Sequence, residues 1–217
     1  MDGVIVDTNP AHRVAWREYF ERHGKPLSDA DFVEYISGKH NSQIVAHLFS
    51  GQDLTPDDIR RVGDEKEALF RELYKADITP VPGIPAFLAA LRSAGIKTAV
   101  ATSAPVENLD FVLDALDLRA YFDVLLHERS ITHPKPDPEV YQKAMAELGV
   151  RPDDSVVFED SMTGIQAARA SGAYVVGVAT TQTPDELRPF VDEVIRDFTE
   201  VTPDALAIRV DQVPGRS

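Results

Sequence analysis

The sequence predicts an α/β protein with a doubly wound parallel sheet and a helical segment inserted near the start of the chain. Beyond residue 80, short apolar runs alternate with segments of helical periodicity, which is typical of parallel sheets flanked by helices. Between residues 9 and 79 the apolar positions keep helical spacing without strand-like alternation. A proline-rich linker at residues 79–83 marks the change. We therefore predict a core of residues 1–8 and 80–217 and a helical unit of residues 9–79.

Composition limits the classes of partner. The 217-residue chain has a formal net charge of −14, which argues against nucleic acid and anionic membranes as partners. It contains no cysteine, which excludes disulfides and a thiol nucleophile. The sequence shows no signal peptide and no apolar run of membrane-spanning length, so we expect a cytoplasmic protein. We also expect it to be a monomer.

Capping and stopping residues give the approximate bounds of the elements. The strongest helix start is at residues 55–58, where a threonine cap, a proline and an acidic first turn follow one another. Further helices are predicted from Asn9 to residue 24, after residue 28, and over 41–48, 84–95, 105–116, 140–149 and 165–172. Strands are predicted at 98–101, 122–126, 156–158, 174–178 and, at an edge of the sheet, 194–195.

Chemically useful side chains follow the predicted strands. Asp2, Thr102 and the pair Glu159 and Asp160 each come directly after an apolar strand segment, and Lys135 lies in the loop after another. Ligands of doubly wound sheets bind beyond the carboxyl ends of the strands. We therefore expect these side chains to meet at one edge of the sheet.

The adjacent acids Glu159 and Asp160 predict a metal site. Like charges at a buried strand end repel each other unless a cation lies between them. Carboxylate oxygens that share a site with phosphate suit Mg²⁺, so we predict Mg²⁺ as the cofactor and Asp160 as the better ligand. The alternative is that the two acids only interact with the positive amino end of the next helix. That alternative explains one acid better than two.

Lys135 and Thr102 predict a phosphate site. Two prolines flank Lys135, which holds its loop extended and fixes the direction of the ammonium group. A hydrated point charge of this kind suits a phosphate. The hydroxyl of Thr102 can bond a phosphate oxygen, although a threonine at a strand end also commonly caps the next helix. Ser103 can contribute its backbone N–H.

Taken together, four motifs resemble those of the haloacid dehalogenase-like phosphohydrolases, most closely the branch of beta-phosphoglucomutase and small sugar-phosphate phosphatases. The motifs are Asp2 with Gly3, residues 100–103, residues 133–136 and residues 156–160. The resemblance implies a Rossmann-like core and a helical cap at residues 9–79 that selects the substrate. It also implies an Asp-x-Asp-Gly motif in which the first aspartate forms an aspartyl-phosphate.

The resemblance places Met1 at the x position of that motif, so the nucleophile is expected one residue before Met1. It makes Asp2 the general acid and base, and a Mg²⁺ ligand through its backbone carbonyl. The metal set implied is then Asp2, Glu159 and Asp160. Without the upstream carboxylate and its strand, we expect the chain to be inactive and its sheet to contain a gap, given a normal strand spacing of about 4.8 Å.

The resemblance also indicates where substrate binds. A loop of the cap with Gly38, Lys39, His40 and Asn41 combines close backbone approach with positive charge. His12 corresponds in position to a histidine that reaches the cleft in the mutase. A surface histidine beside a core tryptophan is an equally good explanation of His12.

We therefore expect a Mg²⁺-dependent hydrolase that removes phosphate from a small phosphorylated metabolite, such as a sugar phosphate. A sugar phosphomutase is the alternative among enzymes. Against it, Asn41 cannot replace the arginine with which the mutase holds a second phosphate, and residues 104–106 lack the polar groups found there in the mutase. A catalytically inactive phospho-ligand-binding or partner-binding protein is the alternative outside enzymes. Loss of a nucleophile alone would not explain an absent strand.

Overall fold

The structure, a computed structural model, describes residues 1–35, 44–46, 49 and 53–211. It divides into a core unit of Met1–Asp7 with Ile78–Ser217 and a helical unit of Thr8–Asp77. Within the described residues, no helix has both the length and the apolar character needed to cross a membrane. The predicted loop residues Gly38, Lys39, His40 and Asn41 lie outside the described residues.

The helical unit contains three described helices of seven residues or more. They are α1 (Asn9–Arg22), α2 (Asp29–Tyr35) and α3 (Pro56–Tyr74), and residues 44–46 are also helical. The start of α3 is a capping box, as the sequence predicted. The Thr55 hydroxyl accepts a hydrogen bond from the Asp58 N–H at 3.2 Å, and the Asp58 carboxylate accepts one from the Thr55 N–H at 3.1 Å.

An aromatic cluster forms the interior of the helical unit. Trp16 and Phe20 of α1 are buried and stack with ring centroids 5.4 Å apart. Ile44 and Val62 pack in the same cluster. The helical spacing seen in the sequence therefore gives this unit an apolar core of its own.

The core unit alternates strands and helices along the chain. Its elements are α4 (Ile84–Ser93), β1 (Ala99–Ala101), α5 (Val106–Ala115), β2 (Val124–Leu126), α6 (Glu139–Leu148), β3 (Val156–Glu159), α7 (Met162–Ser171), β4 (Tyr174–Val178), α8 (Pro184–Leu187), β5 (Glu193–Ile195) and α9 (Pro203–Asp211). Neither α8 nor α9 was predicted: α8 has only four residues, and no strand follows α9 among the described residues.

Among the described residues, the strands form two parallel sheets instead of one continuous sheet. In the first sheet β1 pairs with β2, with Val100 opposite Leu125. In the second sheet the order is β3–β4–β5, so β5 lies at an edge as predicted. Every strand pair is parallel. The expected fold class is confirmed, with the sheet divided between β1 and β3.

Helices cover both faces of the sheets. Along β4 successive side chains enter different clusters: Val176 packs with Leu88 of α4, whereas Val175 packs with Tyr141 of α6. All five residues of β4 are buried. This is the pattern of a parallel strand covered on both sides, and it explains why β4 is a continuous apolar run.

The first residues of the chain form a turn. The sequence interpretation placed the tail of a strand here, but the Met1 carbonyl accepts hydrogen bonds from the N–H groups of Val4 and Ile5, at 3.1 and 2.7 Å. Asp2 forms a bridge with Val6, and Val6 forms one with Pro80. The turn brings Asp2 back towards the start of the linker instead of along a strand.

Gly83 lies at the end of the linker, in close contact with the backbone of Phe198 and Thr199. It has a φ of 86°, and a Cβ at this position would lie 2.5 Å from the Phe198 carbonyl carbon and 2.6 Å from the Thr199 nitrogen. We expect Gly83→Ala to lower the free energy of unfolding by at least about 2 kcal/mol, since backbone must move as well as adopt a strained φ. Gly149→Ala is the matched control, because Gly149 has a φ of 68° and open space around it. Urea denaturation measures both variants, and equal losses would contradict the clash.

Candidate active site

A buried ion pair lies at the carboxyl ends of β1 and β3. The Lys135 Nζ is 2.6 Å from Glu159 Oε1, and the two side chains are 9% and 8% exposed. The same ammonium group donates to the Ala101 carbonyl at 3.2 Å. Lys135 therefore touches the last residue of β1 and the last residue of β3, which places both strand ends at one site.

The loop that carries Lys135 is held by Glu139, at the start of α6. The Glu139 carboxylate accepts hydrogen bonds from the N–H groups of Thr132 and His133, each at 2.7 Å. These bonds lower the pKa of Glu139. Asp137 in turn accepts a bond from the Glu139 N–H at 2.9 Å, so the loop is fixed on both sides of Lys135.

His133, Asp137 and Glu139 also bring possible ligand atoms within 4.8 Å of one another, which their sequence spacing did not suggest.

Glu159 is surrounded by donors. Its carboxylate accepts hydrogen bonds from the Tyr141 hydroxyl, from the Asp160 N–H at 3.1 Å and from the Ser161 hydroxyl at 3.2 Å, in addition to Lys135. Burial alone would raise the pKa of Glu159, but the charge of Lys135 and these bonds bring it to about 2. Glu159 is therefore ionised, and the cation beside it in this structure is Lys135.

The space around Glu159 depends on Gly164 in the first turn of α7. A Cβ on Gly164 would collide with the Glu159 carboxyl group. The close approach of this helix to the strand end therefore requires glycine.

Asp160 has a different environment from its neighbour. The Thr181 hydroxyl donates a hydrogen bond to its Oδ2, and the backbone of Gly3 lies so close that a Cβ there would collide with the Asp160 carboxyl group. Burial, followed by repulsion from Glu159, raises the pKa of Asp160 to about 6. The two adjacent acids thus differ in their contacts: Glu159 pairs with the Lys135 ammonium group, whereas Asp160 accepts from the Thr181 hydroxyl.

Asp2 and the Met1 amine belong to the same site. Burial lowers the pKa of the Met1 amine, while the charge of Asp2 opposes that change and the charge of Lys135 adds to it. Asp2 is half-buried, and its charge also contributes to the raised pKa of Asp160. The Gly3 carbonyl accepts a hydrogen bond from the Thr180 hydroxyl at 2.5 Å, which ties this turn to the end of β4.

Thr102 is buried at the end of β1. Its N–H donates to the Leu126 carbonyl at 3.0 Å, and its hydroxyl oxygen accepts from the Ala104 N–H at 3.1 Å. The second bond lies within the loop and does not cap the next helix, because α5 begins at Val106 and its N-cap, Pro105, receives no side-chain cap. It leaves the hydroxyl proton as a donor. Ser103 is exposed at the same strand end.

His12 lies in the helical unit, on α1, and contacts a buried lysine. The Lys66 Nζ is 2.9 Å from His12 Nδ1 and 2.7 Å from Glu67 Oε1, and it lies 5.0 Å from the centre of the Trp16 ring. His12 stacks on Phe70 with centroids 4.0 Å apart. The ring is therefore held in place, with its side chain 26% exposed.

Three residues of the site are not among those predicted from the sequence. Tyr141 lies at helical spacing with the apolar residues of α6, and a hydroxyl directed at Glu159 leaves no mark in that spacing. Thr180 and Thr181 follow β4 as Thr102 follows β1. The rule that polar residues at strand ends meet at one edge could therefore have found both threonines.

Comparison with known proteins identifies the family. A model of the haloacid dehalogenase-like hydrolases matches residues 1–172, so the chain belongs to that family. This confirms the resemblance seen in the four motifs, and it makes the chain an enzyme of the haloacid dehalogenase-like phosphatase class.

Individual relatives agree with this assignment. A "Phosphorylated carbohydrates phosphatase" of Thermotoga maritima is 37% identical over 79% of this chain and 79% of its own. A "Beta-phosphoglucomutase" of Mycobacterium bovis is 31% identical over 93% of this chain and 88% of its own. The crystal structure of a family IA, variant 3 hydrolase from Entamoeba histolytica has a TM-score of 0.89 at 29% identity, and covers 97% of this chain and 96% of that one.

Because the ion pair at the strand ends is buried, losing Lys135 should cost far more stability than losing an exposed basic residue. We expect Lys135→Met to lower the free energy of unfolding by about 3–5 kcal/mol, because it leaves the Glu159 charge buried without its partner. Adding Glu159→Gln should recover much of that loss, as a double-mutant cycle by urea denaturation can measure. Arg151→Met is the control, since Arg151 and Asp154 form a well exposed ion pair. A loss below about 1 kcal/mol for both variants would contradict this account.

Proposed function

We propose that the chain is a Mg²⁺-dependent phosphatase of a small phosphate monoester, of the sugar-phosphate class, that works through an aspartyl-phosphate. One observation carries the proposal: Lys135, Thr102 and the acids Asp2, Glu159 and Asp160 all belong to one group at the carboxyl ends of the strands. A fixed ammonium group, a buried hydroxyl and a buried carboxyl group with a raised pKa suit a phosphate and a divalent cation.

The oxygen atoms at Asp160 suit Mg²⁺ as ligands. The raised pKa of Asp160 indicates a buried carboxyl group that lacks a cation, and a hard cation with oxygen ligands meets that need. Asp160 and the backbone carbonyl of Asp2 would hold the ion. Glu159 was also predicted to be a ligand, but its ammonium partner makes its first role the positioning of Lys135. When bound, the ion would neutralise negative charge on the phosphoryl oxygens.

The remaining side chains have separate roles in this proposal. Lys135 binds a phosphoryl oxygen and restrains the attacking carboxylate, and Glu159 and Tyr141 fix its position. The Thr102 hydroxyl keeps its proton free to donate to phosphate, while Ser103 offers its backbone N–H. Because these groups are bound to rigid strand ends, the phosphate is oriented before any bond changes.

The attacking carboxylate belongs, in this proposal, to a residue bonded to the Met1 nitrogen. That nitrogen is buried among Asp2, Lys135, Glu159 and Asp160, so a residue joined to it lies inside the group. Its carboxylate oxygen attacks phosphorus, the bond from phosphorus to the ester oxygen breaks, and Asp2 gives that oxygen a proton. Asp2 then takes a proton from water, which attacks phosphorus and releases inorganic phosphate and the carboxylate.

Hydrolysis is favoured over phosphomutase activity, although relatives of both kinds exist. The sequence carries Asn41 where a second phosphate would need a positive clamp, and Ala104, Pro105 and Val106 follow Ser103. The name of the Thermotoga maritima relative supports phosphorylated carbohydrates as the substrate class. His12 and the residues from Gly38 to Asn41 remain predicted substrate contacts.

Mg²⁺ binding can be measured without turnover. We expect Mg²⁺ to raise the melting temperature of the 217-residue chain in a saturable manner, since a ligand that binds the folded state stabilises it. Asp160→Asn should remove most of this rise. Asp185→Asn should keep it, because Asp185 is an exposed acid paired with Arg188. An unchanged response of the Asp160 variant would remove Asp160 from the metal site.

The reaction class is tested in a form extended before Met1 by about six apolar residues that end in aspartate, the length of a typical strand. We expect this form to release phosphate from small sugar phosphates with Mg²⁺, and the 217-residue chain to release none. An extension that ends in asparagine is the matched control. Efficient interconversion of hexose phosphates primed by a bisphosphate would show a mutase instead. Equal turnover by the short and long forms would make another acid, such as Asp2, the nucleophile.

A further inference from the structure

Two adjacent threonines after β4 contact different parts of the candidate active site. The Thr180 hydroxyl donates a hydrogen bond to the Gly3 carbonyl at 2.5 Å, and the Thr181 hydroxyl donates one to Oδ2 of Asp160. Asp160 is the acid proposed above as a Mg²⁺ ligand, and the proposed mechanism uses neither threonine. Thr181 is therefore a candidate for a role of its own at the metal site.

The segment that carries Thr181 is anchored just before that residue. The Ala179 N–H donates to the Ile195 carbonyl of β5 at 2.8 Å, and the Thr180 N–H donates to the Val178 carbonyl at 2.9 Å. The Thr180 hydroxyl adds its bond to the turn at the start of the chain. Because these contacts hold the two residues before Thr181, they limit the positions that its hydroxyl can take.

The two carboxylate oxygens of Asp160 have different surroundings. Oδ2 accepts from the Thr181 hydroxyl, and a Cβ on Gly3 would lie 2.0 Å from it, so the Gly3 backbone packs against the same atom. Asp160 as a whole is only 9% exposed. Of the two oxygens, Oδ2 is thus the one that protein groups engage, and Oδ1 is the one that a cation can bind without displacing them.

A hydrogen bond to one oxygen affects how a carboxylate meets a cation. Partners that bond to a ligating carboxylate orient it, and they change the metal affinity although they do not touch the ion. Mg²⁺ requires a near-ideal octahedron with short bonds, whereas Ca²⁺ has a more flexible shell and accepts a carboxylate through both oxygens. A carboxylate with one oxygen already engaged therefore suits Mg²⁺ better than Ca²⁺.

We propose that Thr181 is a positioning residue of the metal site: its hydroxyl holds Oδ2 of Asp160, so that the acid binds Mg²⁺ through Oδ1 alone and the site prefers Mg²⁺ to Ca²⁺. The inference rests on the proposed function in one respect, which is that Asp160 is a ligand of the ion. Thr181 touches neither the ion nor the phosphate. It acts through the orientation of the carboxylate.

The test measures metal binding by the 217-residue chain and needs no turnover. Thr181→Val keeps the shape of the side chain and removes the hydroxyl. Thr181 is exposed, so the melting temperature without metal should change by less than about 2 °C. In calorimetric titrations with MgCl₂, the valine variant should bind Mg²⁺ about 10- to 100-fold more weakly than the parent chain. Thr181→Ser should bind within about threefold of the parent chain, since serine keeps the donor.

Selectivity between cations separates positioning from a general loss of structure. In parallel titrations with CaCl₂, the valine variant should lose less affinity, so that the ratio of Mg²⁺ to Ca²⁺ affinity falls at least about fivefold. Thr199→Val is the matched control, because the hydroxyl of the exposed Thr199 also donates to a carboxylate, that of Asp197. This control should bind both ions as the parent chain does. An equal loss of both ions in the Thr181 variant would overturn the proposal.

Asp160→Asn separates failure of this inference from failure of the proposed function. Weaker Mg²⁺ binding by both Asp160→Asn and Thr181→Val supports the two together. If Asp160→Asn weakens binding and Thr181→Val binds as the parent chain does, the role of Thr181 is overturned and the metal site stands. Tighter binding by the valine variant would also overturn that role, because the hydroxyl would then occupy the place of the ion. Equal responses of the parent chain and Asp160→Asn to Mg²⁺ would overturn both.

Discussion

The ion pair between Lys135 and Glu159 is the interaction on which the site depends. A buried ammonium or carboxylate is unstable without a partner, so each of these residues constrains the position of the other. Lys135 comes from the loop after β2, contacts the end of β1, and meets Glu159 at the end of β3. Three consecutive parts of an alternating α/β chain are thereby brought to one point. The polar groups of the site are then arranged around a fixed positive charge.

Charge is distributed unequally between the two adjacent acids. Glu159 has a pKa of about 2 because Lys135 and several donors stabilise its ionised form, whereas burial and Glu159 raise the pKa of Asp160 to about 6. Neighbouring residues at a strand end point in different directions, which allows this difference. Glu159 holds the side chain of Lys135 in place, whereas Asp160 is the acid that a bound cation would stabilise.

Much of this could be predicted from the sequence, because the relevant signals are local. Apolar runs and caps predicted the strands and most helices, and the position of Lys135, Glu159 and Asp160 after strands predicted that they meet. Tyr141 could not be found in this way, since its hydroxyl leaves the apolar spacing of α6 unchanged. The pairing of Lys135 with Glu159 was not predicted, because sequence shows which charges are present and not which ones pair. The turn at Met1 was not predicted, because the Met1 carbonyl bonds to N–H groups within the turn where a strand was expected.

The division of the sheet has a consequence for how the core unit opens. Within the described residues, β1–β2 and β3–β4–β5 share no backbone ladder, and Lys135 links their ends through a side chain. Segments with few buried contacts and exposed backbone bonds open locally more often than fully buried ones. Each strand of the two-stranded sheet has one buried residue, whereas β4 is buried throughout. Amide hydrogens of β4 should therefore exchange with solvent far more slowly than those of β1 and β2.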